Sequence, residues 1–268
     1  MTYDFLPLAR EAADKAAAVL LARQPLIMAK GARATKTSDT DPVTEADEES
    51  QRVIVAVIDR ERRDDGILAE EDDGIQAGAK GLNRPGTSGW RWVVDPLDGT
   101  VNYIYGRDQW SVSIAVQDPD GVTVAGVVLA PALGRTYTAA RGQGSWLDGK
   151  RLAVRASIDL AHAVIGTGFS YESPIRAAQA AVLSRVLPAV ADIRRCGSAA
   201  LDLADVASGR IDAFYESDLS PWDWAAGALL AAEAGAVVAE FPGPAGKSGL
   251  VATTPALADP LRALLSIA

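Results

Sequence analysis

The chain has 268 residues, is 49% apolar and carries a formal net charge of −9. That length and composition allow one large domain or two small ones with a sizeable core, and the acid excess argues against a nonspecific nucleic-acid surface, which has to be basic. The single cysteine, Cys196, excludes an internal disulfide and suits a reducing cytoplasm, and no apolar run approaches the length of a membrane span.

The N-terminal stretch Met1-Thr2-Tyr3-Asp4 lacks the basic start of a secretory signal. From Leu6 to Met28 the sequence is rich in Ala and Leu with apolar spacing near 3.6, which predicts a long helix. A second helix is expected from Thr44 to Arg60. Thr44 is its candidate N-cap, Asp47 follows three residues on, and Val53, Ile54, Val57 and Ile58 form its apolar face. Residues 77–89 contain Gly, Ser and Pro and read as a surface loop. The run Trp90–Val94 reads as a buried strand that Pro96 ends.

Up to Val154 the pattern is that of an antiparallel meander. Val112–Val116 and Val122–Leu129 flank the turn Pro119-Asp120-Gly121, and Tyr137–Ala140 and Trp146–Leu147 flank Gly142-Gln143-Gly144. Asp148-Gly149 is a hairpin signal before Leu152–Val154. After Ala156 strands and helices alternate. Strands are expected at Val164–Thr167, Ile211–Tyr215, Val237–Glu240 and Leu250–Ala252. Helices are expected at Pro174–Leu187, at Ser198–Ser208 with Gly209 as its stop, at Trp222–Ala234 and at Leu257–Leu265. This predicts layered helices and sheets, with residues 1–155 and 156–268 as two halves of one domain and a site between them.

Four acidic segments carry the chemistry. Asp95-Pro96-Leu97-Asp98-Gly99-Thr100 puts two carboxylates at a strand end, followed by a glycine that admits an anion to the backbone and a hydroxyl that can hold a water. Ile67-Leu68-Ala69-Glu70-Glu71-Asp72 is a strand running into acids. Asp41-Pro42-Val43-Thr44-Glu45-Ala46-Asp47 and Pro221-Trp222-Asp223-Trp224-Ala225-Ala226 bring acids to helix starts. All the donors are hard oxygens. The only histidine, His162, stands apart and Cys196 has no partner cysteine, so zinc is disfavoured and magnesium is the natural ion. With no Ser–His pair, a water made acidic by metal is the economical nucleophile.

In this order the four segments resemble those of the inositol monophosphatase family, the magnesium-dependent, lithium-sensitive sugar-phosphate phosphatases. The resemblance runs from Lys36 to the C-terminus. Arg195-Cys196-Gly197-Ser198-Ala199-Ala200-Leu201-Asp202-Leu203 resembles the form found in bacterial inositol-1-monophosphatases. It implies an αβαβα sandwich of the kind shared with fructose-1,6-bisphosphatases and two to three Mg2+ ions. Glu70, Asp95 and the Leu97 carbonyl would hold one ion, and Asp95, Asp98 and Asp223 a second. It assigns Glu70 and Thr100 to orient the attacking water, with Asp47 accepting the Thr100 hydrogen bond. Asp98, Gly99 and Thr100 would meet the phosphate, and Ser198, Ala199, Glu216 and Asp223 the polyol. It implies a cytoplasmic homodimer acting on a small phosphorylated polyol, with neither nucleic acid nor membrane as partner.

Myo-inositol 1-phosphate is the leading substrate, and histidinol phosphate on the same scaffold is the alternative. Fructose 1,6-bisphosphate and 3′-phosphoadenosine compounds rank lower, because only Arg194, Arg195 and Lys36 lie near the motifs to meet a second phosphate. A non-catalytic regulatory role ranks lowest, since none of the five acids is missing. Arg194 and Arg195 fit either a subunit contact or surface ion pairs, and Lys36 could lean over the acids. Ala69 and Tyr103 depart from the family's usual glycine and phenylalanine without removing a ligand.

Overall fold

The computed structural model describes residues 4–30, 34–35, 42–71, 81–156 and 158–265. Two helices, α1 (Leu6–Lys30) and α2 (Glu45–Arg62), flank the short ladder of β1 (Ala34–Thr35) and β2 (Pro42–Val43). Ala9, Ala12, Ala13, Ala16 and Leu20 recur on one face of α1 and are fully buried there. Thr44 caps α2 as expected, in a capping box with Asp47.

The first sheet contains β3 (Gly66–Ala69), β4 (Leu82–Arg84) and β5 (Arg91–Asp98). After the short helix α3 (Thr100–Ile104) it continues with β6 (Ser111–Gln117), β7 (Thr123–Ala130), β8 (Arg135–Ala140), β9 (Gly144–Leu147) and β10 (Lys150–Arg151). The eight strands lie in the order β10-β9-β8-β7-β6-β5-β3-β4, antiparallel except for β3 beside β5. The second half builds a five-stranded sheet from β11 (Val164–Thr167), β12 (Asp192–Arg194), β13 (Ala213–Ser217), β14 (Val237–Pro242) and β15 (Ser248–Thr253). Between them run α4 (Ser173–Val186), α5 (Ala199–Ala207) and α6 (Pro221–Glu233), and α7 (Ala258–Leu265) closes the chain. The order is β12-β11-β13-β15-β14, with β11 parallel to both of its neighbours.

Helices α1 and α2 cover one face of the large sheet. Helices α5 and α6 fill the space between the two sheets, and α4 and α7 cover the outer face of the small one. This is the αβαβα sandwich expected from the motifs.

Three expectations are corrected, and one strand is added. Strand β5 runs through Pro96 to Asp98 instead of ending at the proline. Its pairing with β6 shifts register between Asp95 and Asp98, and a bulge tolerates a residue without an N–H. Within 77–89, Leu82–Arg84 is a strand, paired antiparallel with Ile67–Ala69. The Asp148-Gly149 turn, with φ of 49° and 80°, pairs Lys150–Arg151 with Leu147 and Trp146, so the return strand precedes Leu152. Strand β12 was not foreseen, because a three-residue edge strand with only Ile193 apolar leaves no alternation to read.

Helices α5 and α6 lie close because Gly227 has no side chain. A Cβ there would stand 2.7 Å from Leu203 Cβ and 3.2 Å from the Ala200 carbonyl oxygen. Gly227→Leu is expected to force the pair apart and to cost about 1–3 kcal/mol of stability, read as a lower urea midpoint. An unchanged midpoint would show that the contact constrains nothing.

Candidate active site

The bulge in β5 decides how the two aspartates point. In a regular strand, residues three apart face opposite sides of the sheet. Trp92 and Val94 pack with α1 and α2, while Val93 packs toward α6. Unbroken alternation would place Leu97 on the α6 side with Val93 and Asp95. Leu97 instead packs with Trp92 and Val94, and Asp98 turns toward α5. The irregularity thus delivers both carboxylates to one side.

Each remaining side chain is set by the end of an element. Asp98 Oδ2 accepts from Ser198 Oγ at 2.5 Å and from the Ala200 N–H at 2.8 Å, at the start of α5. Asp95 Oδ1 accepts the Leu97 N–H at 3.0 Å, inside the bulge. Asp223 is the third residue of α6, and its Oδ2 accepts the Ser220 N–H at 2.7 Å. Glu70 follows β3 directly. Its N–H bonds the Val94 carbonyl, and Gln51 of α2 brackets the next residue through the Glu71 N–H and carbonyl at 2.9 and 2.7 Å. Asp47 is fully buried. Its Oδ2 accepts from the Thr44 N–H and hydroxyl, and its Oδ1 lies 3.0 Å from Thr100 Oγ.

Gly99, at φ 92°, turns the chain from β5 into α3. A Cβ there would stand 2.9 Å from the Gln109 carbonyl oxygen. Asn102 holds the same corner from within α3, donating to the carbonyls of Gln109 and Cys196. Tyr103 uses the hydroxyl that a phenylalanine would lack, donating to the Leu20 carbonyl at 2.6 Å and tying α3 to α1.

These ends surround a cleft of about 670 Å³. Glu70, Asp95, Leu97, Asp98, Gly99, Thr100, Ser198, Ala199, Glu216 and Asp223 all line it, and Asp47 stands behind Thr100. Further carboxylates join them: Glu48, Glu71, Glu172, Asp202 and Asp218. Among the described residues, ten carboxylates therefore face a single guanidinium, that of Arg195.

The model of the inositol monophosphatase family matches residues 3–265. The chain belongs to that family. An inositol-1-monophosphatase of Mycobacterium leprae (strain TN) is 46% identical over 243 residues, which are 88% of this chain and 81% of that protein. A protein of Pasteurella multocida (strain Pm70) named Nus factor SuhB is 39% identical over 210 residues, 78% of this chain and 75% of its own. Among solved structures, the extragenic suppressor protein suhB from Bartonella henselae matches with a TM-score of 0.87 at 32% identity, covering 97% of this chain and 98% of that one. As a member of the inositol monophosphatase family the chain is a phosphoric monoester hydrolase, and enzymes of this family generally depend on a metal ion.

The donors here suit such an ion. They are carboxylates and a carbonyl, and among the described residues that line the cleft ten are acids against one arginine, with Lys247 paired to Asp218 at 2.7 Å. His162 is exposed and bonded to Asp159, away from the cleft. Among the described residues no three acidic, imidazole or thiol groups stand together as a ready-made metal site, so the fit to a hard cation rests on the chemistry of the donors.

Burial and crowding both show in protonation. Burial raises Asp98 to about 6 and the Glu70 charge adds to this, while the bonds from Ser198 and Ala200 oppose it. Asp223 is held well above the ordinary carboxyl range by burial, with Glu70 and Asp98 adding. Burial lifts Glu216 to about 8 against the pull of Arg195. Asp202 is raised by burial and by Glu216.

Three features of the cleft were missed in the sequence. Asp202 lies four residues after Ser198 on α5, hence on the same helical face, and that spacing could have found it. The wall 167–172 follows the end of β11, a parallel strand, where sites gather in sheets of this kind. Arg195 lines the cleft, whereas Arg194 is exposed and pairs with Asp192 at 2.5 Å, a surface ion pair. Lys36 lies outside the described residues.

Carboxyls whose folded pKa exceeds the unfolded value hold protons that the unfolded chain has already released. Stability then falls as pH rises through the window between the two, here from about 4 to about 8. The metal-free protein is expected to melt at lower temperature at pH 8 than at pH 5, and Mg2+ to raise the midpoint more at pH 8. Calorimetry in EDTA and in Mg2+ checks this, and a midpoint that climbs between pH 5 and 8 without metal would contradict it.

Proposed function

We propose that the chain is a Mg2+-dependent phosphatase that hydrolyses myo-inositol 1-phosphate to myo-inositol and phosphate. Two to three ions would be held by Glu70, Asp95, the Leu97 carbonyl, Asp98 and Asp223. The observation that carries this reading is the charge of the cleft. A phosphate dianion entering among ten carboxylates would meet repulsion from all sides, so only a cation-neutralised phosphate suits it. The name of the Mycobacterium leprae relative supports inositol phosphate as the substrate.

Bound Mg2+ would neutralise the phosphate and make a water nucleophilic near neutral pH. The chain's own groups do the positioning. Thr100 has one hydroxyl proton, committed to Asp47 Oδ1 at 3.0 Å or the Leu97 carbonyl at 3.1 Å, so its oxygen is left to accept a hydrogen from the attacking water. Glu70, held at the same end of the neighbouring parallel strand by its N–H bond to Val94, orients the same water. Gly99 lets the phosphate approach the backbone N–H groups of this turn without a side chain in the way. Ser198 and Ala199 line the side where the polyol would lie, and Glu216 and Asp223 accept its hydroxyls.

Treatment with EDTA is expected to abolish turnover and Mg2+ to restore it, with lithium inhibiting. Asp98→Asn and Asp223→Asn should each lower kcat by more than about 100-fold, because each 1.4 kcal/mol of lost transition-state stabilisation is about tenfold. Full activity in EDTA, or wild-type turnover in either variant, would overturn the metal assignment.

A substrate panel separates chemistry from recognition. Thr100→Ala should lower kcat by about 100-fold or more on every phosphomonoester, because the water is lost whatever the alcohol. Glu216→Ala should act chiefly on KM and change the order among inositol 1-phosphate, glycerol phosphate and histidinol phosphate. If the order is unchanged, Glu216 does not read the alcohol. If wild type prefers histidinol phosphate, the inositol assignment fails while the phosphatase reading stands.

A further inference from the structure

Glu216 owes its position to an absent side chain on the neighbouring strand. Strands β11 and β13 run parallel with Gly166 opposite Phe214 and Thr167 opposite Tyr215, so Gly168 and Glu216 are the next residues along each. A Cβ on Gly168 would stand 1.9 Å from Glu216 Oε2, 2.2 Å from its Cδ and 2.3 Å from its Oε1. The carboxylate therefore lies in the volume that any other residue at 168 would fill. Gly168 itself has no left-handed φ, so its backbone would accept alanine.

The two strand ends cannot part to make room. Gln179 of α4, which is buried, donates to the Ser217 carbonyl at 3.0 Å and to Ser217 Oγ at 3.1 Å. Its Oε1 accepts the Ser170 N–H at 2.8 Å, and Ser170 Oγ donates to Asp218 at 2.8 Å. Those bonds clamp the backbone on either side of the Gly168–Glu216 contact. The cheapest response to a new Cβ is then rotation of the Glu216 side chain, which ends in a flexible carboxylate.

We infer that Gly168 is a specificity-determining residue: by leaving its Cβ volume empty it aims the Glu216 carboxylate at the alcohol half of the substrate. This rests on the reading that Glu216 contacts that alcohol. A larger residue at 168 leaves the metal-facing acids and Thr100 in place but turns the polyol acceptor aside. Gly168 thus acts through Glu216 and not on the phosphate.

The test compares inositol 1-phosphate with para-nitrophenyl phosphate, whose leaving group has no polyol to bind, in the Mg2+-loaded full chain. Gly168→Ala is expected to lower the ratio of the two kcat/KM values about tenfold, chiefly through the KM for inositol 1-phosphate. Glu216→Ala should lower the ratio similarly. Adding Gly168→Ala to Glu216→Ala should change it by less than about twofold, because nothing remains to displace.

If Glu216→Ala changes the ratio and Gly168→Ala does not, the inference is overturned and the reading of Glu216 stands. If Glu216→Ala leaves the ratio unchanged, that reading falls first and the inference with it. If Gly168→Ala lowers both substrates equally, and does so with or without Glu216, Gly168 is only part of the wall. Should Gly168→Ala not fold alone, it is made in Glu216→Asp, whose shorter arm leaves room for the Cβ. A further drop in the ratio in that background overturns the proposal.

Discussion

Like charges confined together repel, and the cleft confines many. Burial first, and crowding after it, drives carboxylates here to take up protons, and Asp98, Asp202, Glu216 and Asp223 are all displaced in that direction. A fold that concentrates acids in this way gives up some stability that a bound hard cation would return. The rest of the architecture holds the acids together without letting them relax apart.

Helix starts provide much of the restraint. Asp47 and Asp223 are each the third residue of a helix and each accept the N–H of its cap, while Asp98 accepts an N–H at the start of α5. The positive end of the peptide dipoles offsets part of the crowding, and among the described residues no lysine lines the cleft. The packing that brings these starts together is tight. Gly227 lets α6 approach α5, so the helix that carries Asp223 and the one that holds Asp98 are fixed against each other.

Much of this was legible in the sequence because local rules agreed with the global fold. The Thr44–Asp47 box, the 3.6-residue spacing of α1 and the turn signals of the meander all led to elements observed in place. Five of the ten acids that line the cleft were named because their segments are contiguous and short. The misses have a physical pattern. The course of β5 past Pro96 depends on a strand partner that the local sequence does not announce, and proline alone reads as a stop. Arg195 and Asp202 enter the cleft through the way α5 sits between two sheets, which is tertiary information. Gly168 is silent in sequence, because what matters there is the space it leaves for a residue 48 positions away.

The bulge at Pro96 and Leu97 makes the register of this segment an all-or-none property. A substitution there can be absorbed by degrees through small shifts in packing. Loss of the bulge cannot, because side chains alternate in steps of two and a single step of register inverts everything beyond it. Were the three steps from Asp95 to Asp98 drawn into regular alternation, Asp98 would turn from the helices between the sheets to the face covered by α1 and α2, burying a charge beside Trp92 and Val94. Descendants of this chain can therefore drift in the letters of the hexapeptide only while the bulge is kept.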